Sequence, residues 1–81
     1  MVSSVKNVEY IVDFDRNIIE VNGRKYYLKD YLRKLKESME ESDKELRKRI
    51  MNDLISEMRI RGYNGYDVFN WFKDCGGYMD D

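Results

Sequence analysis

Neither histidine nor proline occurs among the 81 residues, and cysteine and tryptophan occur once each. Each absence removes a class of explanation. Without imidazole the chain loses the commonest acid–base group near neutral pH, and every triad built on it. A single cysteine forms no internal disulfide, so the chain is not a stapled secreted scaffold. One cysteine without histidine also excludes the usual Cys/His zinc sites. Apolar runs are short, and none approaches the roughly 20 residues that span a bilayer. Internal repeats and low-complexity linkers are missing, so residues 1–81 are expected to form a single small globular domain.

Neither sign of charge dominates. Fifteen basic residues stand against sixteen acidic ones, a formal net charge of -1. That balance argues against a polybasic tail and against an acidic mimic of DNA. The first ten residues, MVSSVKNVEY, lack the apolar centre of a signal peptide, and a cytoplasmic protein is the expectation. What the chain does have is aromatic residues, at 14%, which is rich for its length.

The organising stretch runs from Ser42 to Gly62. Ser42 and Glu45 have capping-box spacing at its start. Leu46, Ile50, Met51, Leu54, Ile55 and Met58 recur at three- and four-residue steps, the apolar stripe of a helix. Gly62 stands where a left-handed C-cap ends such a helix. Before it, Val8 to Phe14 alternates, with Val8, Tyr10, Val12 and Phe14 on one side and Glu9, Ile11 and Asp13 on the other. Asp15-Arg16-Asn17 reads as a tight turn, and a second strand follows at Ile18 to Val21. Asn22-Gly23 is a strong type I′ hairpin signal, because both turn positions need positive φ. It predicts the pairs Val21/Arg24, Glu20/Lys25, Ile19/Tyr26 and Ile18/Tyr27, with Glu20 and Lys25 as an ion pair.

Leu28 to Met39 switches to helical spacing through Leu28, Tyr31 or Leu32, Leu35 and Met39, with Asp30 in the first turn. Glu37 to Asp43 reads as a connection, although one unbroken helix from Asp30 to Arg61 is the alternative. After Gly62, Asn64 and Asp67 repeat the capping spacing, and Val68, Phe69, Phe72 and Cys75 form a short amphipathic helix with Gly76 as its cap. Asp80 and Asp81 are expected to fray. The fold predicted is α+β: a three-stranded antiparallel β-meander followed by three helices packed on one face.

Candidate chemistry is thin. Cys75 has only Asp74, Gly76 and Gly77 beside it, no base among them, and reads as a small buried apolar residue. Asp13, Asp15 and Glu20 could gather at the first turn around a hard cation, giving a metal-assisted enzyme, but their spacing matches no ordered loop. No metal or other cofactor is expected. Basic residues run from Arg24 to Lys36, and the long helix adds Lys44, Arg47, Lys48, Arg49, Arg59 and Arg61 to the surface. Lys48, Asn52 and Arg59 share a stripe that could follow a phosphate backbone. Tyr63, Tyr66, Phe69, Trp71, Phe72 and Tyr78 must mostly fill the core, but adjacent Trp71 and Phe72 cannot both point inward.

Alternation leaves Ile11, Ile18 and Tyr27 on the outer side of the sheet, with Lys25 at its rim. Contiguous apolar patches mark contact sites, and a tryptophan at a rim such as Trp71 is a typical anchor. The expectation is therefore a non-enzymatic protein-binding module. Its type is that of a virus- or mobile-element-encoded inhibitor or adaptor of a larger macromolecular machine, monomeric or homodimeric and with no membrane. The alternative is a small nucleic-acid-binding regulator using Lys48, Asn52 and Arg59.

Overall fold

Three short strands open the structure, a computed structural model that describes residues 8–77. The expectations for Tyr78, Asp80 and Asp81 lie outside the described residues. β1 (Tyr10–Asp13), β2 (Ile18–Val21) and β3 (Arg24–Tyr27) form one antiparallel sheet in chain order. Asn22 and Gly23 take φ of 51° and 86°, as a type I′ turn demands. The turn sets the register, and all four pairs from Val21/Arg24 to Ile18/Tyr27 fall as the sequence predicts. β1 pairs in turn, Ile11 with Glu20 and Asp13 with Ile18.

The helices are α1 (Leu28–Glu37), α2 (Glu41–Ile60) and α3 (Gly65–Lys73), which completes the α+β architecture. α1 starts directly from β3, with Tyr27 as its N-cap and Asp30 in its first turn. Residues 38–40 then separate it from α2, so the single long helix does not form. Two local expectations need correction. Ser42 does not cap α2; the helix begins at Glu41, and its N-cap Glu40 makes no side-chain cap bond. Ser38 acts instead: its Oγ accepts from the Glu40 N–H at 3.1 Å and donates to Asp43 Oδ2 at 2.7 Å. A serine hydroxyl in the extended connection reaches these groups, whereas Ser42 is already within the helix. Met39 lies in the same connection and is 92% exposed, so it does not extend the apolar face of α1.

The other helix ends behave as their residues dictate. Gly62 has φ of 90°, and the bonds Tyr63 N–H to Met58 O and Gly62 N–H to Arg59 O close a Schellman motif. Asn64 and Asp67 form both bonds of a capping box at the start of α3.

The core lies on one face of the sheet. Ile19 and Val21 meet Leu28, Leu32 and Leu35 of α1, Leu46, Ile50, Met51, Leu54 and Met58 of α2, and Val68, Phe72 and Cys75. Tyr10, Val12, Phe14 and Tyr26 pack half-buried on the same side. Phe72 is buried while its neighbour Trp71 stays partly exposed, as adjacency on a helix requires. Phe69 departs from its expected place on the buried face and is 49% exposed. Position 69 lies about 100° around the helix from Val68, outside the arc shared by Val68 and Phe72.

Arg47 is the principal correction. Read as a surface base, it is 1% exposed. Its Nε donates to the Leu32 carbonyl at 3.1 Å, and one terminal nitrogen donates to the Cys75 and Gly77 carbonyls at 2.8 and 2.9 Å. Buried charge is tolerated only when its hydrogen bonds are made, and these bonds join α2 to α1 and to the turn after α3.

Two substitutions separate apolar packing from this polar clamp. Leu54→Ala should lower unfolding stability by about 2–5 kcal/mol, the range for large-to-small core changes. A loss under about 0.5 kcal/mol in denaturant titration would contradict the burial of Leu54. Arg47→Lys should also destabilise, by at least the roughly 1–3 kcal/mol of an orphaned buried acceptor, because one ammonium cannot replace the planar fork. Hydrogen exchange adds a local signature: the amides of Cys75 and Gly77 should exchange faster in Arg47→Lys than in Leu54→Ala at matched stability.

Candidate functional site

The outward face of the sheet carries the exposed apolar residues that alternation assigns to it. Ile11 is 68% exposed and Tyr27 72% exposed, while Ile18 between them is half-buried. Ile18 and Tyr27 face each other directly across the β2–β3 ladder. Ile11 lies diagonally from Ile18, since its own partner is Glu20, two residues further along β2. Side chains in such direct and diagonal relations touch or nearly touch. Lys25 and Glu20 are also opposite one another, yet neither makes an ion pair among the described residues. The expected ion pair is a register partnership only.

Sequence reasoning missed what adjoins this face. Because α1 leaves β3 without a loop, the strand edge and the helix surface enclose an open groove of about 750 Å³. Ile18, Tyr26 and Tyr27 form its sheet wall with Lys25, and Tyr31, Arg33 and Lys34 line it from α1 along with Asp30 and Glu37. Tyr26 and Tyr31 stack with ring centroids 4.9 Å apart and planes inclined by 29°, and this pair is the aromatic floor of the groove. Burial raises the pKa of the Tyr31 phenol above its ordinary value, so it stays a neutral donor. Arg33 is held by Asp30 at 3.3 Å and by the Asp74 carbonyl at 3.1 Å. The absence of any turn residue between Tyr27 and Leu28 was the signal for this groove.

The remaining candidates lie elsewhere. Trp71 stacks on Phe14 at 5.7 Å and meets Phe72 edge-on at 5.1 Å, with the Lys29 ammonium 5.0 Å above its ring. Phe14 belongs to the core side, so Trp71 is not brought together with Tyr27. Lys48, Asn52 and Arg59 are exposed on the side of α2 away from the core, where Glu41 and Glu45 are exposed as well. Cys75 is buried, and desolvation pushes its thiol up to about 11, which removes thiolate near neutral pH. Asp15, one of the three hairpin carboxylates, is bound by Arg61 at 2.7 Å. That hydrogen bond, and the Arg61 charge behind it, hold the Asp15 carboxyl below its ordinary range.

The opposite sheet edge is tied to α2. Tyr10 donates to Asp53 Oδ2 at 2.5 Å, and Arg61 spans Asp15 and Glu57 while lying over the Phe14 ring. Burial, then the Asp53 carboxylate, raise the Tyr10 phenol to about 12. Its neutral form is thus favoured by folding, so this contribution to stability is complete below pH 10 and fades as pH rises toward 12.

Difference absorbance titration between the wild type and Tyr10→Phe should place one phenol near 12, with the fold followed by circular dichroism. Asp53→Asn should bring that midpoint down. A Tyr10 midpoint near 10 in the folded protein would show that the link between β1 and α2 is not made in solution.

No protein-family model, curated protein or solved structure gives a significant match to this chain, so the reading of its surface rests on the geometry above.

Proposed function

We propose that this chain is a non-enzymatic, cytoplasmic protein-binding module, an inhibitor or adaptor that engages a larger partner through the outer face of its hairpin. The supporting observation is the exposure of Ile11 and Tyr27, at 68% and 72%, on either side of Ile18. Single exposed apolar residues are ordinary, but these three adjoin across three strands, and contiguous patches tend to be contact sites. A sheet face with an aliphatic centre and an aromatic edge suits a protein surface of complementary shape, with tyrosine as the anchor. Glu20 and Lys25, without an ion-pair partner among the described residues, would act as the polar rim that selects the partner.

A second reading keeps the nucleic-acid alternative, because Lys48, Asn52 and Arg59 are all exposed on one side of α2. Glu41 and Glu45 on the same side offset its charge, which weakens attraction to phosphate.

Affinity capture from host extract with mass spectrometry tests both readings. Ile11→Asp and Tyr27→Ala should each reduce capture of a protein partner at least tenfold while leaving the unfolding midpoint nearly unchanged, since both side chains are largely exposed. Capture that ignores both substitutions would place the contact elsewhere. Salt-sensitive retention of nucleic acid, lost in the Lys48→Glu/Arg59→Glu variant, would favour the second reading instead.

A further inference from the structure

The hydrogen-bond phase of the sheet shows which backbone groups of β3 are free. Val21 and Arg24 flank the two-residue turn and are a bonded pair, as that turn type requires. Leu28 N–H donates to the Asn17 carbonyl at 2.8 Å, which continues the same phase two pairs beyond Ile19/Tyr26. Bonded pairs alternate with unbonded ones in an antiparallel ladder. Lys25 and Tyr27 therefore turn their N–H groups away from β2, and Lys25 turns its carbonyl the same way. That open edge borders the groove floored by Tyr26 and Tyr31.

Charge indicates what fits there. Arg24, Lys25 and Lys34 have no ion-pair partner among the described residues, and Arg33 adds a fourth cation whose charge Asp30 offsets. Among the described lining residues, Glu37 is the one acid without an ion pair. A second copy pairing antiparallel along Lys25 and Tyr27 would set the two Lys25 side chains opposite or diagonal to one another, which like charges oppose. An acidic strand meets no such penalty.

We infer that the β3 edge accepts an extended acidic segment of a partner protein as a fourth strand, with alternate apolar side chains seated on the tyrosine floor and acidic ones at Lys25 and Lys34. Strand addition of this kind takes affinity from main-chain hydrogen bonds and specificity from alternate side-chain pockets. The inference rests on the protein-binding reading and adds to it the chemistry of the partner. Tyr27 and Ile18 belong to both the outer face and the groove, so one bound segment touches both.

A random octapeptide library displayed on phage, panned against the purified protein, supplies the probe. The enriched peptides should be net negative with alternating apolar positions. Bound to isotope-labelled protein, they should shift and protect the amides of Lys25 and Tyr27 and perturb Tyr31 and Lys34. Lys25→Pro removes the outward N–H without breaking a ladder bond, and should lower peptide affinity at least tenfold. Lys25→Glu/Lys34→Glu keeps the backbone intact and should do the same if the charge argument holds. Enrichment of neutral or basic peptides, no enrichment at all, or binding indifferent to both variants would overturn the inference. So would a dimer, seen by sedimentation, that Lys25→Pro dissociates, since the occupant would then be a second copy. Partner capture lost in Ile11→Asp but retained in Lys34→Glu would leave the protein-binding reading standing and remove only the edge.

Discussion

A single buried guanidinium sets how the helices are assembled. Arg47 on α2 reaches the Leu32 carbonyl on α1 and the carbonyls of Cys75 and Gly77 after α3. Desolvating a cation is expensive, and the planar fork of arginine recovers that expense only where acceptors lie in matching directions. One of those acceptors belongs to α1, and the other two lie in the turn just beyond the C-terminus of α3. Two further cations from α1 gather at the same place, Arg33 on the Asp74 carbonyl and Lys29 on the Asp74 carboxylate at 3.6 Å. α3 is short and contributes few large buried side chains, chiefly Val68 and Phe72. Its position therefore depends on being held at its C-terminal end by cations from both longer helices.

How much of this was legible follows from which signals are local. The hairpin register could be read because Asn22-Gly23 restricts the turn to one geometry, and period-two alternation then assigns every side chain a face. The α2 stripe was equally plain, and all but Ile55 of its apolar set are buried. Arg47 was misplaced although its spacing was informative: it sits four residues before Met51 and seven before Leu54, on the apolar seam. Residue type outweighed position in that reading, because arginine is rarely buried unless its bonds are made. The acceptors that permit burial lie 15, 28 and 30 residues away and leave no mark near Arg47 itself. The start of α2 failed for a related reason, since several serines compete to organise a polar connection and only tertiary placement chooses Ser38.

The surface was legible by halves. Ile11 and Tyr27 could be placed outward from alternation alone. The groove was marked only by the missing turn between Tyr27 and Leu28, which shows that strand and helix abut but not the angle at which they meet. Its aromatic floor joins Tyr26, on the core side of the sheet, to Tyr31, one of two interchangeable positions in the helical pattern.

The two edges of the sheet are treated differently, and that asymmetry carries the functional argument. An unpaired edge is a hazard that folded proteins suppress by covering or charging it. Along β1 side chains tie the strand to α2, Tyr10 to Asp53 and Arg61 to Asp15 over the Phe14 ring, beside a smaller cavity of about 480 Å³. Charges there are spent on contacts within the fold. Along β3 the neighbouring helix α1 leaves the groove open, and Arg24 and Lys25 remain without counterions among the described residues. Such charges oppose pairing with a second copy, so they account for an uncovered edge without any partner. They do not explain why stacked tyrosines and a half-buried isoleucine stand directly beside it, since a purely protective edge has no use for an apolar floor. Repulsion of like strands and attraction of acidic ones are the same electrostatic property seen from two sides, and only the second makes use of the floor.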